Sequence, residues 1–197
     1  MDLNELKNVW DSVDERLKKQ EILRESIIGE MIYKKTSKSL NKLVWSEFIA
    51  IAVCLGIIPF IVWAYGKFGG RFLTWDILIL YSLLFDIVVL PYILYKAYIL
   101  IKIDLIGNMK SNSYYINKFE IAIKREKIFM TILGPIFIII MIPMLIELRA
   151  NAFAWAFAIC MVIFASLFTY WSYKKIYDKN IKSIKKSLEE LKELEDE

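Results

Sequence analysis

Asp86 is the residue whose type and placement most invite chemistry: a carboxylic acid set among Leu83, Leu84, Phe85, Ile87 and Val88. In such surroundings an ionised carboxylate is costly and a protonated one can exchange or donate its proton. No Lys or Arg stands at the same depth to pair with it. Two readings stay open. In one, Asp86 is a proton or cation site, helped by Pro91, which has no N–H and frees a backbone carbonyl. In the other, Asp86 is a protonated hydrogen-bond partner of hydroxyls such as Ser82, Tyr81 or Ser166, and holds helices together.

Little else in the chain could react. Its 197 residues include no histidine, which removes the commonest general base, the commonest metal ligand and the usual partner of serine and cysteine nucleophiles. No catalytic residue, metal-ligand set or cofactor motif is identified, and an enzyme is not expected. Cys54 and Cys160 lie in separate apolar runs, away from metal spacing, and read as small buried hydrophobes. Gly66, Gly69 and Gly70 lack the strand and helix context of a phosphate loop. The net charge is +4, from 26 Lys and Arg against 22 Asp and Glu. With no aromatic residues interleaved in a basic stretch, nucleic-acid binding is not expected.

The elements that must position Asp86 come from how apolar and charged residues are distributed. The chain is 57% hydrophobic and 24% charged, and the two classes are segregated along it. Four apolar runs, about 44–65, 73–95, 128–148 and 152–173, each approach the twenty residues that cross a hydrocarbon core. Backbone in lipid must satisfy its own hydrogen bonds, so the runs are expected to be helices. The expected fold class is all-α: a polytopic membrane protein with four transmembrane helices and amphipathic helices at both cytoplasmic ends. The expected organisation is a helical arm at 1–43, a transmembrane hairpin at 44–101, an amphipathic connector at 102–127, a second hairpin at 128–173 and a helical tail at 174–197.

Basic residues set the expected orientation. Lys34, Lys35, Lys38 and Lys42 precede the first run. The connection between the second and third carries Lys96, Lys102, Lys110, Lys118, Lys124, Arg125 and Lys127, and Lys174, Lys175, Lys179 and Lys182 follow the fourth. The other two connections hold only Lys67, Arg71 and Arg149. Both termini and the middle connection are therefore expected in the cytoplasm, with no cleaved signal segment. Glu47, Asp76 and Glu147 fall near the expected interfaces, where charge is cheap.

The arm carries Leu3, Leu6, Trp10, Val13 and Leu17 at alternating steps of three and four, the seam of a heptad helix. The seam slips at Gln20 and Arg24 and resumes on Leu23, Ile27 and Met31. Gly29 and the Thr36–Ser39 stretch are the expected places for a bend. In the tail, Tyr177, Ile181, Ile184, Leu188 and Leu191 form a second stripe. The simplest cover for one stripe is the other, within a protomer or between protomers, with Ile116, Phe119 and Ile123 of the connector able to join. Leu6, Trp10, Val13, Leu17, Ile181, Ile184, Leu188 and Leu191 are thus the candidate partner-binding residues. The expected partners are membrane lipid and either further copies of the chain or a cytoplasmic protein.

The opening LNELKNVWDSVDERL and the middle segment LIKIDLIGNMKSNSYYINKFEIAIKREKIFM resemble a family of uncharacterised bacterial inner-membrane proteins with four helices and cytoplasmic arms. That family often accompanies extracytoplasmic-function sigma factors. The resemblance implies a multi-pass protein of the bacterial inner membrane and a membrane-bound regulator of a sigma factor. The arm lacks the His and Cys of zinc-type anti-sigma domains. The competing expectation is a small transporter or ion pathway centred on Asp86.

Overall fold

The computed structural model describes the backbone of residues 3–105 and 109–196, and the side chains of those residues apart from 3–9, 11–15, 22, 25 and 194–196. Among the described residues everything outside three short connections is helical. Helix α1 runs Leu3–Phe68, α2 Leu73–Ile101, α3 Met109–Glu147 and α4 Ala152–Ser172; a π-helical stretch, Tyr173–Asp178, leads into α5, Lys179–Asp196. Four of these helices are long and apolar enough to cross a membrane, with 18-residue windows of mean hydropathy from 2.2 to 2.6.

α1 is one helix of 66 residues, about 100 Å at 1.5 Å per residue. The helix is unbroken through Gly29 and Thr36–Ser39, the places where a bend is expected from the sequence. The Thr36 hydroxyl donates to the Ile32 carbonyl at 2.8 Å, so it is satisfied within the helix. A single interior glycine costs only about 1 kcal/mol relative to alanine. The turn from α1 to α2 does require glycine. A Cβ on Gly69 would lie 2.5 Å from the Tyr65 carbonyl oxygen, and Gly70 has a φ of +71°, the left-handed region that glycine enters without steric cost. The Gly70 amide then donates to the Asp76 carboxylate at 3.0 Å.

The core lies at the end of the molecule that holds the connector and the tail. Leu43 of α1, Ile99 and Leu100 of α2, and Ile116, Phe119 and Ile123 of α3 pack with Tyr177, Ile181, Ile184 and Leu188 of the tail. The connector is not separate from the third apolar run: α3 carries both, so the Ile116, Phe119 and Ile123 stripe is held in fixed register with it. The short loop before α3 is clamped by Asn112, whose carboxamide accepts from the Asp104 amide at 3.1 Å and donates to the Asp104 carbonyl at 2.6 Å.

α4 has no buried residue, which corrects the expectation for Cys160: it is exposed, while Cys54 is half-buried. The π-helical stretch corrects a mismatch of faces. On an uninterrupted helix the tail stripe would stand about 90° around from the half-buried Ala154, Ala158 and Val162 of α4. One extra residue in a turn rotates the downstream side chains by about 100°, which swings Tyr177, Ile181 and Ile184 onto the core.

Candidate functional site

Each of the core helices places one ionisable residue where its apolar stripe calls for the next core side chain. On α1 the buried series Ile32, Thr36, Ser39, Leu43 ends on Glu47; on α2 Val89, Ile93 and Leu100 bracket Lys96. On α3 the series Ile116, Phe119, Ile123 arrives at Glu126. The helices bring these three together. The Lys96 ammonium lies 3.0 Å from Glu47 Oε2 and 2.6 Å from Glu126 Oε2. Side-chain exposures of 1% for Lys96, 0% for Glu47 and 12% for Glu126 show that water does not supply the missing solvation, so the charges must solvate one another.

Tyr177 closes the group from the tail. Its ring centroid is 5.6 Å from the Lys96 ammonium, within reach of a cation–π attraction. Its hydroxyl accepts from Ser46 at 3.4 Å. Burial, with Glu47 beside it, pushes the Tyr177 hydroxyl well above the ordinary phenol range, so it stays a neutral donor. The Tyr92 hydroxyl donates to the Ala122 carbonyl at 2.7 Å and ties α2 to α3 alongside. The arrangement therefore clamps three helices and the tail at one point. It also sets two carboxylates against one ammonium.

Asp86 is turned inward and 5% exposed, on the face of α2 that also carries Lys96. Its expected hydroxyl partners lie elsewhere. Ser82 donates to its own helix at Leu78, Ser166 to Val162, and Tyr81 across to the Leu133 carbonyl at 2.8 Å. Hydroxyls in long apolar helices bond most readily to the carbonyl one turn back, and Tyr81 reaches over α3 instead of along α2. Among the described residues no donor meets Asp86 Oδ2. Ten residues, about 15 Å of helix, separate Asp86 from Lys96. Buried Val89 and Ile93 fill that interval.

The candidate partner-binding residues divide into two groups. Ile181, Ile184 and Leu188 are buried in the core, and Leu191 is half-buried; the tail stripe is covered within the chain. Trp10 is 67% and Leu17 56% exposed, and so are Leu23, Ile27 and Met31. The side chains of Leu6 and Val13 lie outside the described residues.

The tail covers only the near part of α1 because of register. It runs antiparallel to α1, with Tyr177 against Ser46 and Ser183 against Ser39 at 3.3 Å. Continued at one residue per residue, its end at Asp196 reaches only about the level of Ser26. Some 35 Å of α1 stands beyond it. The two stripes of α1 also differ in direction: Leu6, Trp10 and Leu17 fall about a quarter-turn around from Thr36, Leu43 and Glu47 on a straight helix.

The ion triad is what sequence reasoning missed. Glu47 and Lys96 look like interfacial charges because each lies at the end of an apolar run. The available signal was their position on the apolar stripe of an adjoining amphipathic helix. Comparison with protein-family models, with curated proteins and with solved structures finds no match to this chain.

Proposed function

We propose that the chain crosses a membrane four times, with both ends and the middle loop on the cytoplasmic side, and acts there as a non-enzymatic helical interaction and regulatory module. Four apolar helices and the lysines that flank them support the placement, by the rule that basic connections stay inside. One observation carries the role: α1 is a single helix whose outer part holds Trp10, Leu17 and Leu23 exposed beyond the reach of the tail, with Ile27 and Met31 exposed alongside its end. An amphipathic helix with an uncovered stripe is a docking element for another helix or groove.

A second copy of the chain fits that stripe. Two copies inserted alike in one membrane present parallel arms. In a parallel heptad pair, residues five apart meet across the seam. Here Arg16 would meet Glu21 and Glu30 would meet Lys35 of the other copy, both of opposite sign. A sigma factor, the partner that the family resemblance implies, would compete for the same stripe.

The test is purification of the full chain from native membranes in mild detergent, as wild type and as Trp10→Asp/Leu17→Asp. The variant is expected to lose a partner, or to halve the intact mass of the complex, with its helical content and thermal midpoint unchanged. Equal mass and equal partners in both would refute the reading. The ion-pathway reading rests on the unpartnered Asp86 carboxyl. It requires ion- or pH-gradient-driven flux in reconstituted vesicles that Asp86→Asn abolishes.

A further inference from the structure

Between α2 and α3, beside the ion triad, lies a cavity of about 280 Å³ lined by Val88, Val89, Tyr92, Arg125, Glu126, Phe129 and Met130. Its polarity is graded along the helices. Val88, Val89, Phe129 and Met130 form an apolar end inside the second and third apolar runs. Tyr92, Arg125 and Glu126 form a polar end, one to two turns further toward the connector. Such a groove accommodates an amphiphile in one orientation, tail among the valines and headgroup at Arg125.

The charges at the mouth select the sign of the headgroup. Glu126 is the acid in the lining, and it is committed to Lys96 at 2.6 Å. The neighbouring Lys124 is paired with Glu120 at 2.7 Å. Arg125 is exposed and has no acidic partner among the described residues. An unpaired guanidinium binds a phosphate oxygen pair through two parallel N–H donors. Basic pockets between membrane helices on the cytoplasmic side hold anionic lipid headgroups for this reason.

We propose that this groove is a binding site for one anionic glycerophospholipid, its phosphate on Arg125 and an acyl chain between α2 and α3. The inference rests on the membrane placement above. A zwitterionic lipid is the poorer occupant, because its own cation competes with Arg125 for the phosphate. The apolar end distinguishes a lipid from a free phosphate, which would leave most of the groove empty.

The full chain, delipidated in detergent, is titrated with phosphatidylglycerol, phosphatidylcholine or glycerol phosphate, and bound lipid is counted by intact-mass measurement. Phosphatidylglycerol is expected to bind at one per chain, with Arg125→Gln weakening it about five- to tenfold. Val88→Trp, which fills the apolar end and keeps Arg125, should lower the retention of phosphatidylglycerol as well. Equal retention of the two lipids by the wild type, no effect of Arg125→Gln, or glycerol phosphate binding as well as the lipid would each overturn the site. Flotation with vesicles of either lipid separates the two levels: a chain that fails to float with any vesicle contradicts the membrane placement, whereas one that floats with both yet retains the two lipids equally in the titration contradicts only the groove.

Discussion

Lys96 of α2 and Glu47 of α1 form an ion pair at 3.0 Å in which neither side chain meets solvent. Pairs of this kind gain little overall against apolar residues of the same shape, but breaking one is costly, because the remaining charge is left buried and alone. In this chain the consequence is sharper than for a simple pair. Lys96 is shared with Glu126, so its loss strands two carboxylates at once.

Lys96→Met is therefore expected to destabilise the folded chain by about 3–5 kcal/mol, read as a fall in thermal midpoint in detergent. Lys96→Met combined with Glu47→Gln and Glu126→Gln should recover most of that loss. A single variant as stable as wild type would mean that the triad is not the clamp described.

Trp10 and Ile184 both lie on apolar stripes but should respond in opposite ways to the same change. Ile184 is fully buried in the core, and truncating such a residue costs about 2–5 kcal/mol. Ile184→Ala is expected to lower the thermal midpoint and to expose the tail to protease. Trp10→Asp is expected to leave both unchanged, since surface substitutions usually shift stability by less than about 0.5 kcal/mol.

Asp86 has a buried oxygen without a donor, and an unsatisfied buried polar group costs about 1–3 kcal/mol. Asp86→Leu is therefore expected to raise the thermal midpoint. A fall of several degrees would instead reveal a hydrogen bond or bound ion that the carboxyl supports.

Glu120 accepts from Lys124 and from Lys185 of the tail, and these ammonium groups hold its carboxyl below its ordinary 4.5. The unfolded chain then binds the proton more tightly than the folded one. The contribution of Glu120 is complete above the unfolded value and is lost as pH falls through the folded one. Because the pair is partly exposed, its worth is at most about 1 kcal/mol. Glu120→Gln should reduce stability slightly at neutral pH and flatten the acid limb of the stability profile below about pH 4.5, measured by denaturant titration at several pH values.

Helices, their approximate limits and their apolar stripes were legible in the sequence because each depends on nearby residues. An α-helix bonds every fourth residue to itself, and hydropathy or a step of three and four can be read from one segment. What the tertiary structure decided was pairing. Ile181, Ile184 and Leu188 look equivalent to Trp10 and Leu17 as stripes, yet only the tail stripe is covered, because antiparallel register places Tyr177 at Ser46 and the tail ends short of Leu17 and Trp10. Glu47, Lys96 and Glu126 are separated by 49 and 30 residues along the chain. Their meeting depends on the rotation and depth of three helices together, which no local pattern specifies.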